Sequence, residues 1–119
     1  MIGTWLALVL LVTDGDTFRA RVEVWPGMEA ITAVRIRGID TPELRGKCAS
    51  EKEKAVAARE RLRALLAEGP VHLFHVEPDK YSGRVDADVS VNGTSIAGIL
   101  VKEGLARPYT GGVRASWCP

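Results

Sequence analysis

Few cysteines, few aromatics and almost no excess charge set the first limits on this chain. Its two cysteines, Cys48 and Cys118, are too few for a disulfide scaffold; they can form one bridge tying the tail to the body, or remain two thiols. Lys and Arg number 16 against 15 Asp and Glu, so a net charge of +1 offers no overall attraction for a polyanion, and any basic surface must be local. The apolar run at 5–12 is far short of the roughly 20 residues that span a membrane. It also lacks the basic start and small-residue cleavage site of a secretion signal, and is expected to be a buried strand. Internal repeats, heptads and low-complexity tracts are missing too. With 46% hydrophobic and 26% charged residues over 119 positions, disordered and collagenous classes are excluded, and a single domain over 1–119 is expected.

What is present is an alternation of strand-like runs and turn signals. Residues 5–12 close at Asp14-Gly15-Asp16, residues 18–25 at Pro26-Gly27, and residues 33–39 at Asp40-Thr41-Pro42, which predicts an antiparallel meander. From Ser50 the period changes. Ser50 and Glu53 have capping-box spacing, and Ala55, Ala58, Leu62, Leu65 and Leu66 recur at three and four residues until Gly69-Pro70 stops the helix. Residues 71–76 and 84–91 again favour strands, and a short helix over 95–103 ends at Gly104. After Tyr109 the periodicity is lost, leaving 110–119 as a tail. Three strands, a helix and two more strands predict an α+β fold: the five-stranded Greek-key barrel called the OB-fold, with about two helices.

Three groups of residues can carry chemistry. Asp14-Gly15-Asp16-Thr17 falls at a strand-to-strand turn, where a positive φ at Gly15 would bring two carboxylates together; equally, an aspartate there can simply cap its own turn. Arg35 precedes Asp40-Thr41-Pro42-Glu43, whose acids and backbone carbonyl are hard oxygen donors suited to calcium or magnesium. Strict alternation would set positions 35 and 40 on opposite faces, so the strand must end or twist near Gly38. Asp79-Lys80-Tyr81-Ser82-Gly83-Arg84 offers an arginine able to grip a phosphate with two hydrogen bonds, beside a lysine and a tyrosine. Taken singly, Arg35 and Arg84 read as surface residues, and Tyr81 and Tyr109 as packing residues. His72 and His75 lack zinc-site spacing and are expected on a partly exposed strand, and the helix charges of 51–63 on a solvated face. Trp5, Trp25 and Trp117 give no functional signal.

Together, in this order and at about this spacing, the three groups resemble the staphylococcal nuclease (thermonuclease) family over nearly the whole chain up to Tyr109. The resemblance implies calcium held by the Asp16 and Asp40 carboxylates and the Thr41 backbone carbonyl. It implies that Glu43 activates or orients the attacking water, that Arg35 and Arg84 bind the scissile phosphate, and that Lys80, Tyr81 and Tyr109 contact a nucleotide. The reaction implied is calcium-dependent hydrolysis of phosphodiester bonds in DNA and RNA, leaving 3′-phosphate ends, by a monomer with no membrane partner. Single strands are expected to be preferred, since a shallow groove with aromatic faces accepts splayed bases.

The chain departs from the family pattern at Ser82, inserted between Tyr81 and Gly83, where it can displace Arg84. It also ends before the family's third helix, where a Cys48–Cys118 bridge would fasten the tail instead. If that bridge forms, a secreted or periplasmic location is favoured, with any export signal outside this sequence. The rival reading is a noncatalytic nucleic-acid or protein binding module on the same barrel. Retention of both acids, Glu43 and both arginines favours the enzyme.

Overall fold

In the computed structural model, which describes residues 3–119, β1 (Thr4–Asp14), β2 (Thr17–Trp25) and β3 (Met28–Ile36) form an antiparallel meander. A turn at Gly38, with φ +80°, separates β3 from the two-residue β4 (Ile39–Asp40). There follow α1 (Ala49–Leu66), β5 (Val71–Pro78), β6 (Arg84–Val91), β7 (Thr94–Ser95), α2 (Ile96–Lys102) and β8 (Arg107–Pro108). β5 pairs antiparallel with both β1 and β6, and β6 runs parallel to β3 from Ala33↔Arg84 to Ile36↔Ala87. That parallel pairing closes a mixed five-stranded barrel, the OB-fold expected from the order of elements.

Alternation explains the closure. On β2, Phe18, Ala20 and Val22 point inward while Arg19, Arg21 and Glu23 point out, and Val34, Ile36, Leu73, Ala87 and Val89 fill the same interior. Ala55, Ala58, Leu62, Leu65 and Leu66, one stripe of α1, are also buried. At α2 the Ser95 hydroxyl caps the helix by accepting from the Gly98 amide, and Gly104 turns the chain away with φ +76°.

Several expectations need correction. β1 is not buried on both faces: Ala7 and Val12 enter the core, while Leu6, Leu8, Leu10 and Leu11 are exposed, with a register shift between Val9 and Leu11. A closed barrel has one inner face, so half of a continuous apolar run must look outward. β3 starts five residues earlier than the apolar run at 33–39 implied, because its first half forms a hairpin with β2. The Ser50–Glu53 capping box does not form. Cys48 is the N-cap, without a side-chain cap, and Glu51 reaches back instead: its carboxylate accepts from the amides of Glu43 (3.1 Å) and Lys47 (3.0 Å). Glu51 is therefore buried rather than on a solvated face, and those two amides hold its carboxyl below the usual range. Cys48 and Cys118 form a disulfide that fastens the tail to the start of α1.

Candidate active site

On the barrel wall, the β1–β2 turn is pinned to the end of β3 by the Ile36 amide, which donates to the Asp16 carbonyl at 2.8 Å. Gly15 is needed here for space, not for a positive φ. A Cβ at Gly15 would lie 2.7 Å from the Ala58 Cβ and 3.1 Å from the Thr41 Cβ, so the turn packs directly against α1 and the Asp40-Thr41 segment. Asp14 does cap its own turn, accepting from the Asp16 amide at 3.1 Å. Asp16 is buried, accepts from the Thr17 hydroxyl at 2.9 Å, and stands 3.7 Å from the Arg35 guanidinium. Burial, reinforced by Asp14, pushes its carboxyl up to about 7 against the pull of Arg35.

Because β3 stops at Ile36, Arg35 folds over the Gly38 turn and donates to the Ile39 carbonyl at 3.1 Å. Parallel register sets Arg35 beside Asp86 of β6. Two residues earlier on that strand, Arg84 is gripped at both ends by Asp79, at 3.0 and 3.1 Å, and lies 4.9 Å over the Tyr81 ring. The extra Ser82 is absorbed by a turn with Gly83 at φ +79°, and Arg84 still faces the same cleft as Arg35. Asp79 and Asp86 are pushed in opposite directions. Hydrogen bonding to Asp86, and then Arg84, holds Asp79 well below the carboxylate range, whereas burial and Asp79 push Asp86 up to about 6.

The opposite wall is built by the tail. β4 pairs with β8 (Asp40↔Arg107), Arg107 donates to the carbonyls of Ala115 and Ser116, and its guanidinium stacks 3.7 Å over the Trp117 ring. Trp117 is buried, and its indole N–H donates to Asp40 Oδ2 at 3.1 Å. Asp40 Oδ1 pairs with Arg114, which also pairs with the Glu43 carboxylate and donates to the Thr41 carbonyl at 3.2 Å. Burial works against the Arg114 charge, but Glu43 and Asp40 bind its proton more tightly than usual.

Between the walls lies a cleft of about 890 Å³. It gathers Asp16, Arg35, Thr41, Glu43, Lys80, Tyr81, Arg84 and Tyr109, whereas Asp40 does not line it and is instead held by Arg114 and Trp117. The Tyr109 hydroxyl is tied to the Gly112 carbonyl at 2.7 Å. Sequence reasoning missed Asp86, Arg114 and Trp117. Asp86 shares a strand face with Arg84, which could have flagged it; for the tail residues the one pointer is Cys118.

Two carboxylates and a carbonyl are hard donors, and burial leaves the Asp16 carboxylate poorly solvated even with Arg35 at 3.7 Å, so the donor set suits calcium. Among the described residues, the three side chains that bring ligand atoms within 4.8 Å of one another are Cys48, Glu51 and Cys118, whose sulfurs are spent on the bridge. Asp16, Asp40 and Glu43 stand further apart, with Arg114 against two of them.

A comparison with curated proteins finds no match. The family model described as staphylococcal nuclease homologue matches residues 33–116, starting after Asp16 but taking in Arg35, Asp40, Glu43, Arg84 and Arg114. With that match running over most of the chain and the barrel placing both arginines on one cleft, the chain belongs to the family of staphylococcal nuclease homologues.

Proposed function

We propose that the protein is a calcium-dependent, sugar-nonspecific nuclease that hydrolyses phosphodiester bonds of DNA and RNA and leaves 3′-phosphate ends. The observation that carries this reading is the shared cleft: Arg35 and Arg84 face it from adjacent strands, with Asp16 beside Arg35 and with Thr41 and Glu43 on the opposite wall. Asp16, Asp40 and the Thr41 carbonyl would hold the cation. The chemistry supplied by bound calcium is neutralisation and orientation of a phosphate oxygen. Glu43, half-exposed at the rim, takes up or orients the proton of the attacking water. Arg35 and Arg84 bind the phosphate and the charge that grows on it; Asp79 holds Arg84 in place so that little reorganisation is needed.

The charge count supports a metal requirement. The cleft's charged side chains divide evenly, five acidic (Asp14, Asp16, Glu43, Asp79, Asp86) and five basic (Arg35, Arg45, Lys80, Arg84, Arg114), so a bound divalent cation tips it towards a polyanion. Tyr81, exposed and flanked by Lys80 and Arg84, and Tyr109 offer stacking faces for unpaired bases, which favours single strands. The Cys48–Cys118 bridge supports an oxidising, secreted or periplasmic workplace.

Incubation with single-stranded DNA and calcium, repeated with chelator, tests the reading. Chelator-sensitive cleavage whose products accept 3′-end labelling only after phosphatase is expected. Arg35→Gln and Glu43→Gln should each lower kcat by about 10²–10⁴-fold while circular dichroism stays unchanged. Tight binding with no cleavage would identify the noncatalytic module instead, and undiminished cleavage by both variants would place the activity outside this cleft.

A further inference from the structure

Resting on the calcium reading above, we propose that Arg114 is a built-in competitor for the cation: its guanidinium occupies the oxygens of Asp40, Thr41 and Glu43, and divalent binding requires it to withdraw. Three acceptors from one short segment converge on this one side chain, and two of them, Asp40 and Thr41, belong to the proposed ligand set. A guanidinium and a hard cation seek the same oxygens, so both cannot be served at once.

The tail is built so that this grip can open without dismantling the wall. Asp40 divides its oxygens between a hydrogen bond and an ion pair, and the Trp117 indole keeps Oδ2 when Arg114 gives up Oδ1. Arg107 and the disulfide secure the chain beyond Arg114 through Ala115, Ser116 and Cys118. On the other side, Gly111 and Gly112 take positive φ angles and Val113 is wholly exposed. Arg114 thus rides on a strap tied at both ends, which keeps its effective concentration at the acids high and leaves it free to swing. The consequence is a calcium requirement set by the strap as well as by the ligands.

The test is direct calcium binding by titration calorimetry on wild type, Arg114→Met and Arg45→Met, with amide hydrogen exchange across 110–116 in wild type. Losing charge-assisted hydrogen bonds to the competitor should tighten calcium binding roughly ten- to hundredfold in Arg114→Met. Arg45 lines the same cleft, so Arg45→Met reports the effect of merely removing a positive charge and should move affinity far less. Exchange over 110–116 should quicken as calcium saturates the wild type. Equal calcium affinity in wild type and Arg114→Met, equal tightening by Arg45→Met, or a strap whose exchange ignores bound calcium each overturns the competition and leaves the nuclease reading standing. Failure of all three proteins to take up calcium overturns the metal reading itself, and the competition with it.

Discussion

On the barrel wall, Asp16, Arg35 and Arg84 are placed by strand register and by main-chain hydrogen bonds such as that from the Ile36 amide to the Asp16 carbonyl. On the tail wall, Asp40, Thr41 and Glu43 are placed by two-residue strands, one disulfide and a run of chain with no periodicity. The first wall comes with the fold; it forms whenever the barrel closes. The second depends on individual contacts, and its partners, Trp117 and Arg114, lie 77 and 71 positions along the chain from the acids they hold. One cleft is therefore half rigid by topology and half adjustable by attachment.

The sharpest way to separate the walls is to cut the bridge. It closes a separation of 70 residues, and the chain-entropy account assigns such a loop about 4 kcal/mol of stability. The Cys48→Ala/Cys118→Ala double variant should lose about that much in denaturant titration. Its far-ultraviolet circular dichroism should persist while the 110–116 amides lose protection. If stability is unchanged, Arg107 and Trp117 place the tail by themselves and the contrast fails.

A second test bears on the barrel wall alone. Asp16 keeps its proton in the folded protein up to about pH 7, whereas the unfolded chain releases it near the ordinary 3.8. Between those values the folded state binds more protons, so in chelator stability should fall as pH rises from about 4 to 7 and then level off. Carrying the carboxyl from 3.8 to about 7 corresponds to at most about 4 kcal/mol, and to less once water reaches the site. Asp16→Asn should flatten most of the slope, leaving a smaller fall of the same sign from Asp86, which is pushed up to about 6. A slope that survives intact in the variant would show that another group carries it.

These walls also mark how far the sequence could be read. Arg35 and Arg84 were legible only in combination, through the order and spacing of the three motif groups, while the strand end near Gly38 followed from needing positions 35 and 40 on one side. The outward leucines of β1 were not legible, since an uninterrupted apolar run carries no sign of which face is inside. Gly15 was noticed for its conformational freedom, yet its role is clearance beside Ala58 and Thr41, which depends on contacts remote in sequence. Glu51, two residues before Glu53, looked like any solvated helix charge until the preceding loop folded back over it. The tail had no pattern to read, because nothing local decides where Arg114 and Trp117 go; the bridge and β8 decide it.

The smallest expected effect separates a tryptophan that serves the site from one that does not. Trp117→Phe keeps an aromatic ring for Arg107 to stack on but removes the donor to Asp40 Oδ2, leaving a buried carboxylate oxygen short of a hydrogen bond. That should destabilise the protein by about 1–3 kcal/mol. Trp5 is the internal control. Its indole nitrogen is buried with no hydrogen-bond partner among the described residues, so Trp5→Phe relieves an unmet polar group while trimming the packing, and the two effects oppose one another. Chemical denaturation of the two variants side by side should show a clear loss for Trp117→Phe and a smaller one, or none, for Trp5→Phe. Equal losses would mean that ring size governs both positions, and that the tail holds Asp40 by Arg114 alone.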